Sequence, residues 1–288
     1  MTTIQILVSG VLIGGVYALL AVGITLVLGV MKIVNFAQGE LLMVGMYLTL
    51  LLHTVLGLHP YVAFPIVVVA LFGLGAGIHF GLLRWVVDRG HTQQIVLTLG
   101  IGIVLQSAAL MIFGGSFQSL QIEPFRGGSI VIGSISIGTT RLAAFVVAGI
   151  ATIALLFLLD RTLTGKAMRA TAMDRDAATL MGIPVQRVYL ITMGIGSALA
   201  GAAGVMLMPI YPVYPTVGVN ILLIGFVVVV LGGLGSVAGA FLGGIIIGVV
   251  EALAGFWLGA AMSQIVVFAL FIVILLVRPQ GILKGDTV

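Results

Sequence analysis

The chain alternates between long uncharged stretches and short clusters of charge. Runs without Asp, Glu, Lys or Arg extend over 4–31, 41–83, 92–122, 142–159, 188–250 and 252–277. A bilayer-spanning helix needs about 20 apolar residues, so several runs cross more than once. As one helix, residues 188–250 would measure roughly 95 Å at 1.5 Å per residue, enough for about three crossings. Breaks are available at "GLHP" (57–60), "PIYPVYP" (209–215) and "GGLGS" (232–236). The pattern predicts an all-α, polytopic membrane helix bundle of about eight to ten transmembrane helices. The working spans are nine: 4–31, 38–58, 61–83, 93–114, 142–159, 188–210, 219–234, 236–256 and 262–277. The loop 115–141 carries a short hairpin pattern, "GGSIVIGSISIGTT". No linker divides the chain, so residues 1–288 read as a single domain.

Composition agrees with lipid as the solvent. Of 288 residues, 61% are hydrophobic and 7% charged, and the mean hydropathy is +1.34; soluble domains are about 25% charged. The net charge of +4 points to membrane topology rather than nucleic acid. With nine spans and an outer N-terminus, Lys32, Arg84, Arg89, Arg161, Lys166, Arg169, Arg175, Arg187, Arg278 and Lys284 fall inside. Only Arg126 and Arg141 fall outside, a strong positive-inside bias that puts the C-terminus in the cytoplasm. Merging 219–256 into one span would weaken it. The first residues lack a basic n-region, so no cleaved signal peptide is expected.

Chemistry-bearing patterns are sparse. There is no cysteine, so no disulfide or thiolate site. The four histidines (53, 59, 79, 91) lack metal-ligand spacing. "TGKA" (164–167) is not a phosphate-binding loop, and no G-x-S-x-G is present. Gly233, Gly235 and Ala238 fit G-x-G-x-x-A inside a membrane segment, where packing is the better reading. No nucleophile–base or metal cluster supports an intramembrane enzyme.

Small residues recur at i, i+4 spacing: Gly73, Gly77 and Gly81; Gly235, Gly239 and Gly243; and Ala240, Gly244 and Gly248. Such stripes let helix backbones approach; a hinge or pore lining is the alternative. Each half also holds a Gly-interrupted apolar segment with a lone acid, Glu40 and Glu251. With Asn35 and Gln38 they are candidates for a translocation path, because an ionisable group at membrane depth is costly. Glu40 equally reads as the start of a helix at the inner interface near Lys32, and Glu251 as a structural partner. They are also the only acids available to an autonomous ion-coupled carrier. Gln106, His79 and Asn220 read as hydrogen-bonding groups between helices.

Residues 160–187 differ from everything around them. They hold Asp160, Arg161, Lys166, Arg169, Asp174, Arg175, Asp176 and Arg187, each costing roughly 2.5–3.5 kcal/mol at a bilayer centre. Met173, Ala177, Leu180 and Met181 fall at i, i+4, i+7 and i+8, an apolar stripe on a short helix. Asp174 and Asp176 stand early in it. Gly182 takes the C′ position, and Pro184 follows. A helix lying on the lipid surface is the alternative, but a stripe of Ala and Met suits a protein groove better.

"DAATLMG" (176–182) resembles the E-A-A-x-x-x-G loop of ABC importer permeases, with Asp176 in place of Glu; the Ile and Leu-Pro that follow in that loop are not matched. "GVYALLAVGITLVLGVMKIVNFAQGELLMVG" (15–45), "LTLGIGIVLQ" (97–106), "GKAMRATAMDRDAATLMGI" (165–183), "LGGLGSVAGAFLGGIIIGVVEAL" (231–253) and "RPQGILKG" (278–285) are similar to LivH-type permeases of high-affinity branched-chain amino acid importers. The resemblance implies a multi-pass subunit of a bacterial inner membrane, without catalytic residues. Its coupling segment, about 165–184, would dock on a cytosolic ATPase through Met173, Asp176, Ala177, Ala178, Leu180, Met181 and Gly182. Further implied partners are a second permease subunit, a second ATPase and an external substrate-binding protein. ATP and magnesium would be held by the ATPases, leaving no cofactor in this chain. Relatives carry branched-chain or other neutral amino acids, urea or short amides.

Overall fold

The computed structural model describes residues 3–87, 89–120, 129–132, 135–278 and 280–283. Arg126 and Lys284, used above for topology, lie outside these. Seven helices are long and apolar enough to cross a membrane: α1 (Thr3–Met31), α2 (Gln38–Leu56), α3 (Pro60–Gly81), α4 (His91–Phe113), α5 (Thr139–Arg161), α8 (Val185–Leu207) and α10 (Val237–Leu258). Two shorter apolar helices, α9 (Val217–Gly232) and α11 (Ala260–Val277), fill the remaining predicted spans. Helices α6 (Leu163–Met173) and α7 (Arg175–Leu180) form the charged segment. The hairpin is present as β1 (Ser129–Ile132) and β2 (Ile135–Gly138), with Ser129 opposite Gly138 and Ile132 opposite Ile135.

Turn chemistry sets the breaks. Gly57 closes α2 at φ 63°, its N–H donating to the His53 carbonyl, and Pro60 opens α3 at a position needing no donor. Between α8 and α9 the three prolines of 209–215 exclude a continuous helix. The chain there is instead tied by a bridge between Gln118 and Val213.

The surface is apolar where a soluble protein would be polar. Val69, Ile103, Val104, Ile153, Phe157 and Leu276 are all exposed, on helices with lipid as solvent. The two most buried spans are α1 and α8. Helix α1 packs antiparallel to α10 through glycine. A Cβ at Gly10 would meet the Val249 backbone at 2.8 Å, one at Gly14 would meet the Ile245 Cα at 2.8 Å, and one at Gly244 would meet Ala18 at 2.6 Å. Without a hydrophobic drive in lipid, such close backbone contact supplies the packing energy. Helix α8 approaches α2 at Gly45 and Gly201, where a Cβ on Gly45 would lie 2.9 Å from the Gly201 Cα.

The predicted stripes divide. Gly239 and Gly243 meet α9 at Gly232 and Val228, and Gly244 and Gly248 meet α1. Gly235, however, stands in the loop before α10 at φ 87°, so it does not extend that face. Gly73, Gly77 and Gly81 have nothing within 4 Å of a Cβ position. Among the described residues, therefore, no neighbour packs against these three positions. The close approach on α3 falls at Gly75, directly against the Ser197 side chain, and Gly75 belongs to none of the three series.

Candidate functional site: a charged helix pair and a polar layer at membrane depth

The charged segment is two helices rather than one. The Thr162 hydroxyl caps α6, accepting from the Gly165 N–H at 3.0 Å. Gly165 lies directly on the backbone of Leu158 and Leu159, and Met168 and Ala172 are buried, so α6 is seated on the bundle. Arg169 pairs with Asp160 at 2.7 Å. Asp174 then breaks the helix. Its Oδ1 accepts from the N–H groups of Asp176 (2.9 Å) and Ala177 (3.0 Å), capping α7. Gly182 (φ 81°) closes α7. The Gly182 N–H donates to Thr179 and the Ile183 N–H to Ala178, both at 3.0 Å, the hydrogen-bond pair of a Schellman cap.

The predicted stripe spans this break: Met173 ends α6, while Ala177 and Leu180 lie on α7 and Met181 is its C-cap. The four side chains nevertheless share exposure. Met173, Leu180 and Met181 are 72%, 88% and 82% accessible, and Asp176, Ala177 and Gly182 are exposed. On α7 only Ala178 is buried; it anchors the helix to the body. An apolar face on a water-side loop is a surface in need of a cover.

The second region is the turn between α1 and α2. Lys32 is exposed and left-handed (φ 55°), and the chain then folds inward. Asn35, Gln38 and Glu40 are buried. Asn35 Oδ1 accepts from the Ala37 N–H at 3.0 Å, and its Nδ2 donates to Gln38 Oε1 at 3.2 Å. Gln38 Nε2 donates to the Gly196 carbonyl at 2.6 Å. Gly196 stands in the middle of α8, about 16 Å along the helix from its start. Helix α2 therefore begins at the mid-depth of a neighbouring span. This places Glu40 away from the interface that Lys32 marks.

Glu40 Oε1 accepts from Gln106 Nε2 at 2.7 Å. Its Oε2 has no hydrogen-bond partner and lies against Gly218, 2.7 Å from where a Cβ would stand. Gly218 is the second residue of α9, whose N-cap Thr216 supplies no side-chain bond. Gly39 and Gly218 touch backbone to backbone, so two helices start face to face here. A carboxylate beside the open N-terminus of α9 is placed where the helix dipole favours negative charge.

Glu251 is not brought into that cluster. It lines a cavity of about 380 Å³ with Tyr17, Tyr211, Tyr214, Asn220 and Gln264. The Tyr17 hydroxyl stands close to both Glu251 and Tyr211. Val217 and Asn220 border this cavity while Gly218 touches Glu40, so the two acids flank the first turn of α9. Sequence reasoning missed Tyr17 and Tyr211; the signal for Tyr17 is a hydroxyl-bearing ring in an otherwise aliphatic span, whereas Tyr211 stands in the proline-rich break after α8.

Of the three residues expected to bond between helices, Gln106 does so. Asn220 bonds instead to the Tyr214 hydroxyl at 3.2 Å, and the His79 ring, beside Gln186 of α8, makes no well-formed hydrogen bond among the described residues. Among the described residues, no group of three metal-ligating side chains occurs.

Residues 6–275 match the family of the branched-chain amino acid transport system permease component. The chain belongs to that family. It is 34% identical to the high-affinity branched-chain amino acid transport system permease protein LivH of Salmonella typhimurium, over 97% of this chain and 95% of that one. To the corresponding protein BraD of Pseudomonas aeruginosa it is 33% identical, with the same coverage. A probable LivH of Methanocaldococcus jannaschii is 31% identical over 98% and 93%. Among solved structures, PsaBC from Streptococcus pneumoniae in complex with Fab aligns over 98% of this chain and 92% of that one, at a TM-score of 0.50 and 16% identity; this likeness concerns the fold alone. The permease is thus a multi-pass, non-catalytic component of a transport system.

Proposed function

We propose that this permease carries branched-chain or related neutral amino acids across a bacterial inner membrane, driven by ATP hydrolysed in a partner. The observation that carries the reading is the doubly capped α7 with its exposed face of Ala177, Leu180 and Met181. It joins α6, seated on the body, to α8, the span that holds Gln38. A push on α7 therefore reaches the polar layer through two rigid elements. ATP and magnesium stay with two cytosolic ATPase subunits, so this chain holds no cofactor. A second permease chain, a paralogue, completes the pathway. The external binding protein delivers the amino acid, and the C-terminus faces the cytoplasm.

In this reading, Asn35, Gln38, Glu40 and Glu251 line or gate the path around the start of α9. Alternating access then comes from movement of the helices on either side of that turn.

The test is to extract the tagged chain gently and identify what accompanies it. A phosphate-loop ATPase that co-purifies, and is lost when Ala177, Leu180 and Met181 are made polar, supports the reading. Recovery of copies of this chain alone, in several detergents, overturns it. Gly182→Pro should abolish uptake while membrane insertion persists; normal uptake in that variant removes the lever.

A further inference from the structure

A second cavity, of about 430 Å³, lies where the last turn of α3 meets the first turn of α8. His79, Phe80, Arg84, Trp85, Gln186 and Arg187 line it. It opens at the same end of the molecule as the charged lever, because residue 184 leads directly into α8. The His79 and Tyr189 ring centres stand 6.2 Å apart and nearly perpendicular, and the Arg175 guanidinium of α7 lies 5.8 Å from the centre of the Tyr189 ring.

The walls hold two guanidiniums, an imidazole and one amide side chain. His79 is 2% exposed, and its ring nitrogens make no well-formed hydrogen bond among the described residues, although the Gln186 side chain and backbone stand close to the ring. Arg84 lies across Phe80 at 4.2 Å and Trp85 at 4.7 Å. These rings fix its guanidinium, whose Nε is buried and unpartnered. Arg187 supplies a second guanidinium from the α8 side. Among the described residues the salt bridge is Arg169 with Asp160, and neither cavity arginine is engaged by a carboxylate.

Buried polar groups without partners are rare and costly. A set of two guanidiniums and an imidazole fits an oxyanion with several acceptor oxygens, and arginine forks match phosphate geometry. Beside this polar end, Phe80, Trp85 and Leu190 offer an apolar wall, and Trp85 is exposed to the surroundings. Basic recesses between transmembrane helices are suited to lipid headgroups. We propose that this cavity binds a phosphate group, supplied by an anionic phospholipid whose acyl chains run along Trp85 and Phe80.

Trp85 is a built-in reporter, because the chain has two tryptophans and Trp257→Phe leaves it alone. The full-length chain is placed in phosphatidylcholine nanodiscs containing either brominated phosphatidylglycerol or brominated phosphatidylcholine at equal mole fraction. Stronger quenching of Trp85 by the anionic lipid is expected. Arg84→Gln and Arg187→Gln should each weaken that preference about five-fold, while Arg187→Lys should keep most of it. Gln186→Glu, which adds an acceptor charge without removing an arginine, should also abolish the preference and serves if the arginine variants fail to fold.

Equal quenching by both lipids, with no response of Trp85 to inorganic phosphate, overturns the site. Equal quenching with a phosphate response that Arg84→Gln removes keeps the phosphate site and overturns the lipid as its source. If neither lipid reaches Trp85 in the assembled transporter, a partner subunit covers the cavity and the proposal fails.

Discussion

Gln38 and Gly196 are joined by a 2.6 Å hydrogen bond from the Gln38 side-chain amide to the Gly196 carbonyl, tying the first turn of α2 to the middle of α8. Both residues are buried. Gln38→Leu leaves that carbonyl with its helical bond alone and the Asn35 amide with the Met193 sulfur at 3.6 Å, at a cost of about 1 kcal/mol. The expected outcome is a chain that inserts but unfolds at lower temperature in detergent. A melting temperature equal to the parent would show that the bond does not hold α2 in place.

Glu40 presents a cleaner separation of charge from shape. In Glu40→Gln the side-chain oxygen still accepts from Gln106, but the charge facing the start of α9 is gone. The dipole attraction lost, up to about 2 kcal/mol, is offset by relief of the cost of holding a charge away from water. Uptake should fall while expression and thermal stability change little. Glu40→Asp keeps the charge but withdraws it from Gly218 and Gln106, and should also impair uptake. Uptake at parental rates in both variants would remove Glu40 from the mechanism.

Glycine substitutions sort by what a Cβ would meet. Gly14→Ala drives a methyl into the backbone of Gly244 and Ile245 and should cost about 1–3 kcal/mol as overpacking. Gly73→Ala meets nothing within 4 Å; it should be neutral or stabilise by up to about 1 kcal/mol through helix propensity. Thermal unfolding in one detergent ranks the two. Destabilisation by Gly73→Ala in the assembled complex, but not in the isolated chain, would identify that stripe as a subunit contact.

On the lever, exposed and buried positions should respond oppositely. Leu180→Asp with Met181→Asp should abolish ATPase capture and leave the fold intact. Ala178→Asp buries a charge and should lower stability of the chain itself. Asp174→Ala removes the cap of α7 at a cost of about 1 kcal/mol, and should weaken capture without abolishing it. Pull-down of the ATPase, set beside thermal unfolding of the chain, distinguishes the three outcomes.

Hydropathy made the spans legible because charge bounds them: Lys32, Arg84, Arg161 and Arg187 sit at or beyond helix ends. Depth was not legible. Nothing in "VNFAQGE" says that α2 starts halfway along α8, because that depends on how the turn after Lys32 folds inward. Spacing likewise reveals a small-residue series but not the face that packs. Gly75 matters through Ser197, 122 positions away in the chain, whereas the regular series beside it faces outward. At the lever, Asp174 was read as an early helical residue favoured by the dipole. The structure uses the same side chain as a cap, which requires an extended backbone (φ −148°) and so breaks the stripe after Met173.

Helix α7 has six residues, and an isolated peptide of that length would not stay helical in water. Here both ends are closed by its own neighbours, Asp174 at one and Gly182 at the other, so its shape exists before anything docks. A docking partner then meets a stiff strut and loses no affinity to folding it. Stiffness also governs what comes back: a stroke applied at Leu180 displaces the helix as a body instead of being absorbed in uncoiling it.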